Sequence, residues 1–293
     1  LGTVQISSGL AHVFSINESF SNQVIIIAVI TLIGLISVCL GLDTGIKKLS
    51  QVNMILATTL MIFIFIFGPT VFILNALIQN FGSYVNTLIE SATWTEVYQS
   101  TSWQNGWTLF FYTWWFAWAP FVSLFIARIS YGRSIKEFII GVLFVPSLIV
   151  FLWMGIFGNA AIYQVINETS QINEIVNNNY TVALFALFDV YPIAKIASIF
   201  SLILIVTFFV TSSDSGALVA SMLSSRSQAS INDDSPIVSR VTWAILLGIL
   251  AGVLLYAGGL TALQTSVVIL GVPFSIIVVF ACRHFYRSLE DEL

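Results

Sequence analysis

Charged side chains make up only 8% of these 293 residues, against about a quarter in a soluble domain. With 58% of the residues hydrophobic, one core of this length cannot hide the apolar surface and leave enough polar groups to cover it, so an ordinary water-soluble fold is excluded. The net charge of -4 is small and scattered between loops, which gives no indication of a nucleic-acid partner. Cysteine is nearly absent. Cys39 and Cys282 lie in separate apolar runs and read as packing residues rather than a disulfide or metal pair. There is no His-Glu-x-x-His and no Gly-x-Ser-x-Gly, so no catalytic residue is assigned, and no phosphate-binding Gly-rich loop of an ATP-driven pump. His12 and His284 sit near the ends of apolar runs without ligand partners, so neither is read as a metal ligand.

What the chain has instead is long apolar runs. A bilayer core of roughly 30 Å takes about 20 residues of helix. Seven complete runs meet that length, within a few residues at each end: Asn22 to Leu42, Ser50 to Leu77, Trp107 to Ala127, Glu137 to Phe157, Ile196 to Met222, Val238 to Ala257 and Leu263 to His284. The opening LGTVQISSGLAHVF is too short to span and reads as the end of a helix, so the chain is expected to be the carboxy-terminal part of a longer protein. Gly68-Pro69 should kink the second run, and Gly271-Val272-Pro273 repeats that device in the last.

Basic residues set the expected orientation. Lys47 and Lys48, then Arg128, Arg133 and Lys136, then Arg226 and Arg240, then Arg283 and Arg287 fall in every second connection or at the carboxy end, with Lys195 the exception. The positive-inside rule makes those connections and the carboxy terminus cytoplasmic, and puts the 78–106 and 158–195 connections outside. Phe81, Tyr84, Val85, Leu88 and Ile89 recur at helical spacing, so the first of these could lie along the outer surface or pack as an ordinary external helix. The Asn-rich stretch ETSQINEIVNNNY reads as a solvated loop.

Two constellations carry chemistry. The first is Gly106-Trp-Thr-Leu-Phe-Phe-Tyr-Thr-Trp-Trp-Phe-Ala-Trp-Ala-Pro-Phe121. Residues three and four apart share a helix face, so Phe111, Trp114, Trp115 and Trp118 should form a continuous aromatic wall. An interfacial belt accounts for Trp107 at the start of the run but not for indoles one and a half to three turns deeper. Ring faces in a dry site bind quaternary ammonium cations, each ring contributing on the order of 0.5 to 2 kcal/mol; the alternative is aromatic core packing. Pro120 favours function, because it frees a carbonyl within the membrane.

The second constellation is Phe208-Phe-Val-Thr211-Ser212-Ser213-Asp214-Ser215-Gly216. Hydroxyls on such a helix often bond back to the preceding turn. A run of them ending in a carboxylate also supplies the oxygen donors that a hard cation takes, and an intramembrane acid is a candidate functional group. Asp214 is read either as a helix-organising acceptor or as a coupling residue.

GWTLFFYTWWFAWAPFVSLFIARISYGRSIKEF resembles the signature of the betaine/choline/carnitine transporters, a tryptophan-rich helix followed by an Arg-Ile-Ser-x-Gly-Arg loop. The likeness continues through VTSSDSGALV and LQTSVVILGVPFS and covers essentially the whole chain. FFYTWWFAW, SSDSGALV, the INDDSP loop and the last helix look closest to the bacterial choline transporters. Tyr112-Thr113 in place of Trp-Ala, and Tyr131 in place of Arg, depart from the family pattern.

The resemblance implies an all-α integral membrane protein with the leucine-transporter-like inverted-repeat bundle. Residues 1–106 would end the first repeat and 107–293 would form the second. It implies ion-coupled symport of choline or a related quaternary ammonium compound by alternating access, with glycine betaine symport or carnitine-type exchange as alternatives; composition alone leaves a channel open. By motif position Trp115 belongs to the substrate box, with Trp114, Trp118, Phe110 and Phe111 around it. Thr211, Ser212 and the Phe208 carbonyl match one sodium position and Phe121 a second. The coupling ion would be sodium or a proton, with no cofactor beyond it. A homotrimer in a bacterial plasma membrane is the implied setting.

Overall fold

The computed structural model describes residues 2–40, 45, 47–99, 101–225 and 235–291. Among the described residues all regular structure is helical: α1 (Gly2–Phe14), α2 (Phe20–Leu40), α3 (Lys47–Phe67), α4 (Thr70–Thr93), α5 (Phe110–Ile129), α6 (Ile135–Ile139), α7 (Val145–Ile166), α8 (Ile172–Asn178), α9 (Ala183–Phe188), α10 (Ala194–Ser224), α11 (Ile237–Tyr256) and α12 (Leu260–Asp291). A π-helical turn, Asn105–Leu109, leads into α5, and another, Ile140–Phe144, joins α6 to α7. Seven of these segments are long and apolar enough to cross a membrane, and they correspond one for one to the seven runs read from the sequence. Arg226, most of the INDDSP loop and the Leu42 end of the first run lie outside the described residues.

The second run needs correction. It was expected to continue from Ser50 to Leu77 with a kink, but the chain breaks at Gly68-Pro69 and begins a separate helix at Thr70. Pro69 has no N–H to offer the Phe65 carbonyl. The Thr70 hydroxyl takes that carbonyl instead, donating to it across 2.6 Å, while Gly68 N–H reaches Ile64 O at 2.9 Å. The Ile64 and Phe65 carbonyls near the helix end are thereby satisfied, as an apolar surrounding favours. α4 includes the amphipathic 81–89 stretch and packs against α7. By contrast α5 and α12 run uninterrupted through Pro120 and Pro273.

α10 is the axis of the packing. It touches α1, α2, α3, α5, α9 and α11, and 39% of its most apolar window is buried against 6% for α5. One core joins α3, α4, α7, α8, α9 and α10 around Ile64, Ile73, Ala160 and Phe188. Ile172, 4% exposed, belongs to it, so the Asn-rich stretch is not simply a solvated loop: its middle is α8, packed on the bundle. A second core sets Ile6, Ile30, Phe185, Leu202 and Val210 together. There Gly9 leaves room for the Phe185 ring, since a Cβ at that position would stand 2.3 Å from Phe185 Cζ. α5 and α12 pack closely on each other, and Gly271 lets them meet: a Cβ there would fall 2.6 Å from the Thr113 carbonyl oxygen.

Candidate substrate and ion sites on α5 and α10

The aromatic run of α5 divides into two ladders rather than forming one wall. Trp107 stacks on Phe111 at 5.8 Å, Phe111 meets Phe110 edge-on at 5.6 Å, and Phe110 meets Trp114 at 5.3 Å. Separately, Trp115 lies 5.7 Å from Trp118 and Trp118 lies 6.1 Å from Phe121. Among the described residues no ring contact joins the two. A 100° step per residue sets Trp114 and Trp115 well apart around the helix, and the large indoles then choose neighbours on their own side.

The second ladder borders a groove. Trp115 is 59% exposed and Trp118 44%, whereas Thr113 on the same helix is 7% exposed, under α12. Trp115, Trp118, Ala119, Val122, Ser123 and Ile126 line most of a groove of about 380 Å³ that Phe138 also borders. Among the described residues no helix packs these rings shut. Trp114 and Phe110 are half-buried, and Phe111 is exposed beside Trp107.

On α10 the polar string is sorted by depth. Thr211 is buried, and Phe208 and Ser212 are exposed. Both hydroxyls converge on one carbonyl: Thr211 Oγ1 and Ser212 Oγ each donate to Phe208 O at 2.9 Å. The two hydroxyls expected to serve an ion thus share the third oxygen, in the arrangement that back-bonding hydroxyls adopt. Thr211 has a further partner that the sequence reading did not single out. Asn53 of α3, 2% exposed, donates from Nδ2 to Thr211 Oγ1 at 3.2 Å, and its Oδ1 is buried without a partner. A polar residue in the apolar run QVNMILATTL was the available signal.

Asp214 turns elsewhere. It is 1% exposed and faces α2, where Gly34 admits it: a Cβ on Gly34 would stand 3.1 Å from Asp214 Oδ1. None of the Phe208–Asp214 string lines the Trp115 groove, so the two constellations are brought to neighbouring helices rather than into one cavity. Phe121 meets the aromatic ladder through Trp118. Cys39 and Cys282 are free thiols. Among the described residues no group of three or more His, Cys, Asp or Glu side chains gathers as a metal site. His12 instead pairs with Asp189 at 3.0 Å, tying α1 to the turn after α9.

These features define an all-α, multi-pass membrane protein with an aromatic helix beside a polar one. The family model for the betaine/carnitine/choline family of transporters matches residues 1–293, and the chain belongs to that family. Similar proteins include a glycine betaine transporter of Acinetobacter baylyi, 39% identical over 99% of this chain and 43% of its own length. A glycine betaine/proline/choline transporter of Vibrio parahaemolyticus is 41% identical over 99% of the chain and 51% of its own length. The high-affinity choline transport protein of Escherichia coli is 39% identical over 100% of the chain and 43% of its own length. The chain spans about half the length of the curated relatives it matches.

Proposed function

We propose that the protein is a secondary active transporter that takes up choline or a related quaternary ammonium solute by alternating access, driven by sodium or protons. The observation that carries this is the open Trp115–Trp118 face, two indoles presented to a groove within an apolar helix. A trimethylammonium group has no N–H to donate and loses little by leaving water for ring faces. Each ring adds about 0.5–2 kcal/mol, so Trp115 and Trp118 together reach roughly millimolar affinity at the upper end, and three or four rings would extend it toward micromolar. Trp114, Phe110 and Phe111 form the adjoining wall of the solute's path.

Phe208 O, Thr211 and Ser212 are read as one position for the coupling ion, Phe121 as part of a second, and Asp214 as the group that senses occupancy. Glycine betaine is the alternative substrate, since it shares the cationic head, and the names of the relatives include both solutes. The wider architecture follows the family: residues 1–106 close a first inverted repeat and 107–293 form a second, in a trimer in a bacterial plasma membrane with the carboxy terminus inside.

The test is uptake of labelled choline and glycine betaine by the full-length protein in vesicles, with sodium and proton gradients imposed separately. Saturable uptake that follows one gradient supports the reading. Uptake of neither solute under either gradient, or unitary currents characteristic of a channel, overturns it.

A further inference from the structure

We propose that the connection between α4 and α5 holds a separate surface site for an organic cation, a cage of the Trp94 and Trp103 indoles with the carboxylates of Glu90 and Glu96, which takes choline-like solutes in preference to zwitterions such as glycine betaine. All four side chains line one cavity of about 490 Å³. No residue lines both this cavity and the Trp115 groove.

Local structure brings the four together. α4 ends at Thr93, and Trp94 follows one turn after Glu90, on the same side of the helix end. The backbone then turns at Glu96, where φ is +55°. The Glu96 carboxylate gathers the residues that follow, accepting from the Thr101 hydroxyl and, at 2.7 Å, from the Gln104 N–H. Trp103 lies between those two anchors, which hold it at the cavity that Trp94 also borders.

Charge decides the sign of what the cavity can hold. From residue 49 to residue 127 the only charged side chains are Glu90 and Glu96, with no Lys, Arg or His among them. Among the described residues neither carboxylate enters an ion pair. Uncompensated carboxylates beside a concave surface raise the local concentration of cations. The indoles decide which cation. Trp94 is 39% exposed and Trp103 49%, so both keep ring surface free. A sodium ion in so open a place keeps its water, whereas a trimethylammonium head is weakly hydrated and gains from ring faces. A zwitterion with the same head would set its own carboxylate beside Glu90 and Glu96, where like charges repel. The inference goes beyond the transport reading and takes from it only that such solutes reach this face.

The experiment is protection of a cysteine placed in the cavity wall. Gln99 lines the cavity, and Gln99→Cys in an otherwise cysteine-free full-length protein is alkylated in right-side-out vesicles by a membrane-impermeant maleimide. Choline should slow the alkylation, with half-protection on the order of millimolar. Sodium chloride at the same ionic strength and glycine betaine at the same concentration should not. Adding Trp94→Ala/Trp103→Ala should raise the choline needed about 4- to 25-fold, two exposed rings being worth about two- to fivefold each. Trp94→Phe/Trp103→Phe should retain protection, and so should Trp115→Ala. A cysteine the reagent cannot reach, equal protection by glycine betaine, protection that survives loss of both indoles, or protection that vanishes in Trp115→Ala overturns the proposal. Protection that depends on Trp94 and Trp103 in a protein that takes up no quaternary ammonium solute upholds this site and overturns the transport reading instead.

Discussion

The side-chain amide of Asn53 on α3 donates to Thr211 Oγ1 on α10 across 3.2 Å, between two buried residues. Thr211 in turn donates to the Phe208 carbonyl, so Asn53 fixes which way that hydroxyl points. A 180° rotation of the amide would offer Oδ1 to the Thr211 proton and free one of the two hydrogen bonds at the Phe208 carbonyl, Ser212 Oγ keeping the other. The direction of one side chain on α3 therefore decides how many free lone pairs the α10 oxygens present.

Replacing Asn53 separates its polar role from its volume. Asn53→Leu removes the hydrogen bond together with the unpartnered oxygen and should cost roughly 1 kcal/mol of stability. Asn53→Asp places an unpaired carboxylate in the dry α3–α10 contact and should cost more, about 3 kcal/mol or above. Thermal melting of the full-length protein checks the order, and equal melting of the two variants would show that Asn53 merely fills space.

The aromatic groove predicts a graded response. Trp115→Ala removes one ring and should weaken solute affinity about 2- to 30-fold, the equivalent of roughly 0.5–2 kcal/mol. Trp115→Phe should fall between it and the wild type. Concentration dependence of uptake in vesicles measures this, with surface labelling to confirm insertion. Full affinity in Trp115→Ala would remove the ring from the site.

Gly9 tests how α1 is held. Phe185 is fully buried, and a Cβ on Gly9 would stand 2.3 Å from its ring and 2.5 Å from Leu202 Cδ2. Gly9→Ala should therefore destabilise by about 1–3 kcal/mol, the usual cost of overpacking. Adding Phe185→Leu, which shortens the obstructing side chain, should recover part of the melting temperature. Absence of any recovery would place the strain elsewhere.

The segment before α5 carries an acid-sensitive clasp. Glu96 accepts hydrogen bonds from the Thr101 hydroxyl and, at 2.7 Å, from the Gln104 N–H. Thr101 first, and then the Gln104 amide, hold its carboxyl below the ordinary value of 4.5. A carboxylate depressed in the folded state stabilises the clasp above its unfolded value, and the contribution is lost as pH falls through the folded one. Trp103 fluorescence should thus change on acidification below about pH 4.5 in the wild type. Glu96→Gln should lack that transition; an identical transition in the variant would assign it to another group.

Seven spans were legible because a lipid-crossing helix must satisfy its backbone internally and so needs an unbroken apolar run. The same logic failed at Gly68-Pro69. Composition there reads as one run of 28 residues, while the Thr70 hydroxyl lets the helix stop cleanly at Phe67. It failed again over the Asn-rich stretch, where Ile172 is drawn into the core despite polar neighbours. Helical spacing suggested one continuous aromatic wall, but the rings divide into two ladders according to which neighbours each indole finds.

What the amino-acid order determined by itself is the solvent this chain folds in, the number of its spans and the residue types that can meet a cation or an ion. These follow from local composition and helical spacing, which need no knowledge of distant segments. Only the tertiary structure decided which oxygens act together. Asn53 reaches Thr211 from 158 positions away, and Asp214 lies against Gly34 on a helix more than 170 residues earlier. Such pairings arise from how α2, α3 and α10 pack, and helical periodicity records which side of a helix is polar but not which helix lies against it.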